Sequence, residues 1–144
     1  KMGVDVKIED LPAPLPQTQT LIDYLYEVSE TGNPLQRLGY SFWAENCYEY
    51  INPILEKVRE QMNVERKSMT FFIEHAEIDS KHAEEIIQSL IRFTKTQEDW
   101  DAIEAVMVKS LRLTLDILKG VFTQYKTLLE SADKSEYQFL SPLA

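Results

Sequence analysis

Spacing of apolar residues is the strongest constraint on what this chain can fold into. Along nearly its whole length they recur three and four positions apart, as in Leu21, Tyr24, Leu25 and Val28, and no stretch shows the strict alternation of a half-buried strand. That period belongs to helices that bury one stripe and leave the rest to water. Glycine, the residue most tolerant of other backbone shapes, occurs only 4 times in 144 residues. The chain reads as all-α.

Punctuation residues place the helices. Leu11-Pro12-Ala13-Pro14-Leu15-Pro16 resists helix, because each proline pushes its predecessor toward extended geometry. Residues 1–17 are therefore a Pro-rich lead-in. Thr18 or Thr20 suits the cap of a first helix that ends near Glu30. In Thr31-Gly32-Asn33-Pro34, Gly32 fits the position just past a helix end, Asn33 fits an N-cap and Pro34 a first helical position. A second helix is expected from Pro34 to Met62, kinked or briefly broken at Pro53. A third runs from Arg66 or Ser68 to Thr94. Thr96 and Asp99 have the spacing of a capping box and open a long fourth helix, Gln97 to Ser131. Residues 133–144 form a tail, and residues 1–144 count as a single helical-bundle domain.

Charge and cysteine use narrow the function. The 24 acidic residues outnumber 15 Lys and Arg, for a net charge of -9, and no basic stripe suited to a phosphate backbone stands out, so nucleic acid is excluded as a partner. No apolar run reaches the roughly 18–20 residues of a membrane helix. Cys47 is the single cysteine, which forbids an internal disulfide and suits a reducing compartment. With no signal peptide in view, the cytoplasm is the expected location.

Both histidines lie in one stretch, Phe71-Phe72-Ile73-Glu74-His75-Ala76-Glu77-Ile78-Asp79-Ser80-Lys81-His82. At about 100° per residue, His75, Asp79 and His82 fall within about 60° of one another on a helix. Two imidazoles and a carboxylate in line are donors that bind divalent iron, manganese or zinc. Phe71, Phe72 and Ile86 continue the same stripe, so it is expected to face the core, where unpaired polar groups are costly and a metal ion would compensate them. A purely structural His-Asp-His line is the plainer alternative. On the second helix, Glu45 shares a stripe with Leu38, Ser41, Phe42, Tyr48 and Asn52, and Glu49 competes with it as a further ligand. Cys47 points well away from Glu45 and reads as a small buried hydrophobe.

Gly39-Tyr40-x4-Glu45 followed by His75-x3-Asp79-x2-His82 resembles the haem-oxygenase-like diiron oxidase and oxygenase superfamily. The resemblance spans about residues 18–130. It implies an all-α haem-oxygenase-like helical bundle, of which this chain holds the later helices. It implies Fe(II) as cofactor, two ions in the complete domain, with O2 as co-substrate. The metal ligands it implies are Glu45, His75, Asp79 and His82. The reaction it implies oxidises or cleaves a small organic substrate, of amino acid or fatty acid type, in a biosynthetic pathway. Phe42, Tyr48, Phe71 and Phe72 share the ligand stripes and are the candidates for the substrate pocket. The family's early Glu-x6-His pair has no counterpart here, since neither histidine has Glu seven residues before it. The chain, which opens on Lys1, is therefore expected to be the C-terminal part of a longer domain; the four remaining ligands could by themselves hold one iron. Two other readings compete: a non-catalytic helical interaction module, and a metal-free thiaminase-like enzyme on the same bundle. Long amphipathic helices also make a homodimer a reasonable expectation.

Overall fold

Pro16 opens the first helix, α1 (Pro16–Glu30). Proline is at home in a first turn, where its missing N–H has no helical partner to lose. The Thr18 or Thr20 cap expected from sequence is corrected: both lie inside the helix, and the Thr20 hydroxyl donates back to the Pro16 carbonyl at 2.9 Å. The fold is known from a computed structural model, which describes residues 13–130 apart from 62, 66 and 68; the side chains at 49 and 70–80 also lie outside the described residues. The lead-in up to residue 12 and the tail fall outside them too.

The stop after α1 follows the expected turn chemistry. Gly32 takes φ +77°, and Asn33 Oδ1 accepts the Leu35 backbone N–H at 2.9 Å. Pro34 then opens a short 3-10 turn, Pro34–Arg37, that leads into α2 (Leu38–Asn46). The single helix expected from Pro34 to Met62 is corrected. It is interrupted at Cys47, and Pro53 sits inside an unbroken α3 (Tyr48–Gln61). With the break at Cys47, the proline ring presses on a carbonyl of the first turn, the part of α3 that can most easily tilt.

The last two helices are α4 (Thr70–Phe93) and α5 (Gln97–Glu130). Their junction is the expected capping box. The Asp99 N–H donates to Thr96 Oγ1 at 3.1 Å, and Asp99 Oδ2 accepts from the backbone of Lys95 and Thr96 at 3.1 and 3.0 Å. No helix among the described residues is long and apolar enough to cross a membrane.

The chain's contacts resolve into two units. Residues 24–111 form one. In it α2 packs on α4, α3 touches α4, and α2 also meets the first half of α5. Gly39 makes that last approach possible, since a Cβ there would lie 2.1 Å from the Ile103 carbonyl oxygen. Val28, Ala83, Leu90, Ile103 and Val106 are its buried apolar residues, with Thr94 and Ser110 buried among them. The other unit joins residues 1–23 to 112–144. Within it, Leu15, Pro16 and Gln17 face Asp116, Gly120, Thr123 and Gln124 on α5.

Candidate metal centre

The site starts from the packing of α2 on α4. It brings Glu45 Oε2 to 3.3 Å from His82 Nδ1, two residues far apart in sequence. The Glu45 side chain is 28% exposed and that of His82 is 47% exposed. A carboxylate and an imidazole at this depth keep part of their hydration and can exchange a partner for a ligand.

The expectation that His82 faces the core is corrected by that exposure. α4 turns Ala83 and Leu90, seven residues apart, into the interior. His82 precedes Ala83 and so stands about 100° around the helix, at the margin of the contact with α2. α4 is continuous through positions 75, 79 and 82, which helical register sets along one face. The side chains of His75 and Asp79 lie outside the described residues, as do those of Glu49, Phe71 and Phe72. Among the described residues no group of three or more His, Cys, Asp or Glu could hold a metal ion.

The donor chemistry fits iron. A carboxylate oxygen and an imidazole nitrogen already face each other across two helices, and these are the ligand types of non-haem iron sites. Cys47 stays out of this set, its thiol donating to the Ala44 carbonyl at 3.1 Å.

An apolar groove of about 440 Å³ lies between α2, α4 and α5. Phe42 of α2, Ile87, Leu90 and Ile91 of α4, and Trp100, Ile103, Glu104 and Met107 of α5 line it. Of the aromatic candidates, Phe42 is in its wall and Tyr48 is not. The sequence reading missed the α5 residues. Their spacing at 100, 103, 104 and 107 was the available signal, but an ordinary buried stripe has the same period. Trp43 serves the fold instead, as its indole N–H donates to the fully buried Ser110 hydroxyl at 2.8 Å.

An all-helical bundle with a carboxylate and an imidazole paired between two of its helices is the class of protein this structure defines, and its fold is haem-oxygenase-like. A solved domain of unknown function with a haem-oxygenase-like fold, from Shewanella denitrificans OS217, matches it with a TM-score of 0.83 at 49% sequence identity. The match covers 90% of this chain and 56% of that one, so the chain spans little more than half the length of that neighbour. Comparison with curated proteins gives no match. The sequence profile of a family described as iron-containing redox enzyme matches residues 1–116, and the chain belongs to that family.

Proposed function

We propose that this chain carries iron ligands of a non-haem diiron oxidase or oxygenase that uses O2 on a small organic substrate in the cytoplasm. The observation that carries this reading is the facing of Glu45 and His82 across α2 and α4 at 3.3 Å. Membership of a family of iron-containing redox enzymes supports it. Glu45, His75, Asp79 and His82 would hold the metal, the last three by their common register on α4. Bound Fe(II) supplies the electrons that dioxygen needs.

The rest is work for the chain's own residues. Glu45 would bring a carboxylate that offsets part of a dication's charge, from an oxygen 3.3 Å from His82 Nδ1. The metal would take the lone pair of an imidazole nitrogen that carries no proton. Phe42, one turn before Glu45, walls the groove and supports an apolar part of the substrate resting there. Amino acid and fatty acid types are the substrate classes to try first.

The test is ligand substitution. His82→Ala and Glu45→Gln should each weaken ferrous binding by more than about tenfold while far-UV circular dichroism keeps its helical signal. Glu49→Gln should weaken it less than Glu45→Gln. Full iron binding by His82→Ala would refute the ligand assignment.

A further inference from the structure

The iron reading leaves the other side of α2 unused. Glu45 and Trp43 are two residues apart on this helix and so point about 200° apart around it. Glu45 faces His82 of α4, while the Trp43 indole N–H donates to Ser110 Oγ of α5 at 2.8 Å. Three residues before Trp43 stands Tyr40. Its ring meets the Trp43 ring edge to face, with centroids 5.5 Å apart. Three residues further back, the Arg37 guanidinium lies 4.6 Å from the centre of the Tyr40 ring. Tyr40 and Trp43 are both half-buried. Ser110 holds one end of this line of rings and Arg37 the other, and the line runs from the neighbourhood of Glu45 toward the start of α2.

Edge-to-face contact is ordinary aromatic packing. The chemistry of these two rings adds to it, since indole and phenol give up an electron more readily than other ring side chains. Ser110 Oγ already donates to the Val106 carbonyl at 2.7 Å, so it meets the indole N–H with a lone pair and leaves that proton on Trp43. An oxidised Trp43 is then restored by an electron alone. Tyr40 can supply it across the ring contact, releasing its phenolic proton to water. Arg37 is a fixed positive charge over the Tyr40 ring and disfavours a ring that stays positive, so the proton leaves with the electron. Only two peptide links join Trp43 to Glu45, which gives the electron a short covalent route to a metal held there.

We infer that Trp43 and Tyr40 form an electron relay that drains oxidising equivalents from the proposed iron centre when O2 has reacted there and no substrate is bound. The relay rests on the iron reading for its oxidant. Trp43 gives one electron to the oxidised centre. Tyr40 gives one electron to Trp43 and one proton to water. A soluble thiol gives a hydrogen atom to the Tyr40 phenoxyl radical, and two thiyl radicals couple to a disulfide. Two thiols thus supply each pair of electrons, and both rings end unchanged.

The experiment is pulse radiolysis of the full chain without iron, in a Trp100→Phe background that leaves Trp43 as its one indole. Azide radicals oxidise Trp43. The absorption of the oxidised indole should decay as that of a phenoxyl radical rises, at a rate independent of protein concentration. Tyr40→Phe, which keeps the ring, should slow that step at least tenfold, and Tyr26→Phe, an exposed tyrosine of α1, should leave it unchanged. An unchanged rate in Tyr40→Phe, or a rate that grows with protein concentration, would overturn the relay. Because no iron is present, that failure is distinct from a failure of ferrous binding. A second readout uses chain that has taken up Fe(II) and is exposed to O2 without substrate. Peptide mapping should find oxygen added to Trp43 at least threefold more often in Tyr40→Phe than in the parent chain, and equal oxidation in the two iron-loaded chains would also overturn the relay.

Discussion

Gly39 and Asp99 show how much can hang on one residue. At Gly39 the backbone of α2 comes so near α5 that an added methyl would meet Ile103 O at 2.1 Å and Met107 N at 2.8 Å. Neither backbone atom can move without shifting α5. Gly39→Ala is therefore predicted to destabilise the fold by about 3 kcal/mol, as a lower midpoint in thermal or urea unfolding. An unchanged midpoint would mean that the helices can separate at little cost. Asp99 joins two caps: it closes the start of α5 and accepts from Asn33 Nδ2 at 2.8 Å. The bond from Asn33 first, then those from Lys95 and Thr96, holds its carboxyl down at about 2. The folded carboxyl is thus harder to protonate than the unfolded one. Its contribution is complete above about pH 4 and is lost as pH falls toward 2. Asp99→Asn should cost stability at pH 6 and cost less as the pH drops through that window. A cost independent of pH would contradict this. The Thr96–Asp99 box was legible in sequence because it is local. The Asn33 bond was not, because it joins residues 66 apart in the chain.

At the scale of elements, the helical stretches and their order were legible, but their number was not, because the one helix expected from Pro34 to Met62 is a 3-10 turn and two helices. Proline marks where a helix can bend, and Pro53 drew the expected break to itself. The chain breaks at Cys47 instead, where no backbone rule asks for it. What holds α2 in place lies across the fold. The Trp43 indole donates to the Ser110 hydroxyl, which itself donates to the Val106 carbonyl at 2.7 Å. Ser110→Ala would leave the indole N–H of a half-buried ring without this acceptor, at a predicted cost of about 1–3 kcal/mol. Combining it with Trp43→Phe should cost less than the sum of the two single changes. Strict additivity in that double-mutant cycle would show that the bond contributes nothing of its own.

For the whole molecule, the helical class followed from apolar period alone, and the haem-oxygenase-like fold was implied by the family resemblance that Glu45, His75, Asp79 and His82 carry. The structural neighbour and the family match bear both out. Half-exposure of His82 could not be read from spacing, because a stripe shows which residues share a face and not what covers it. The central claim is that these residues bind ferrous iron, and anaerobic titration with Fe(II) followed by calorimetry tests it most directly. Saturable uptake of at least one ion per chain is expected, with binding more than about tenfold weaker in His82→Ala and in Glu45→Gln. No saturable uptake, or uptake equally tight in both variants, would contradict it.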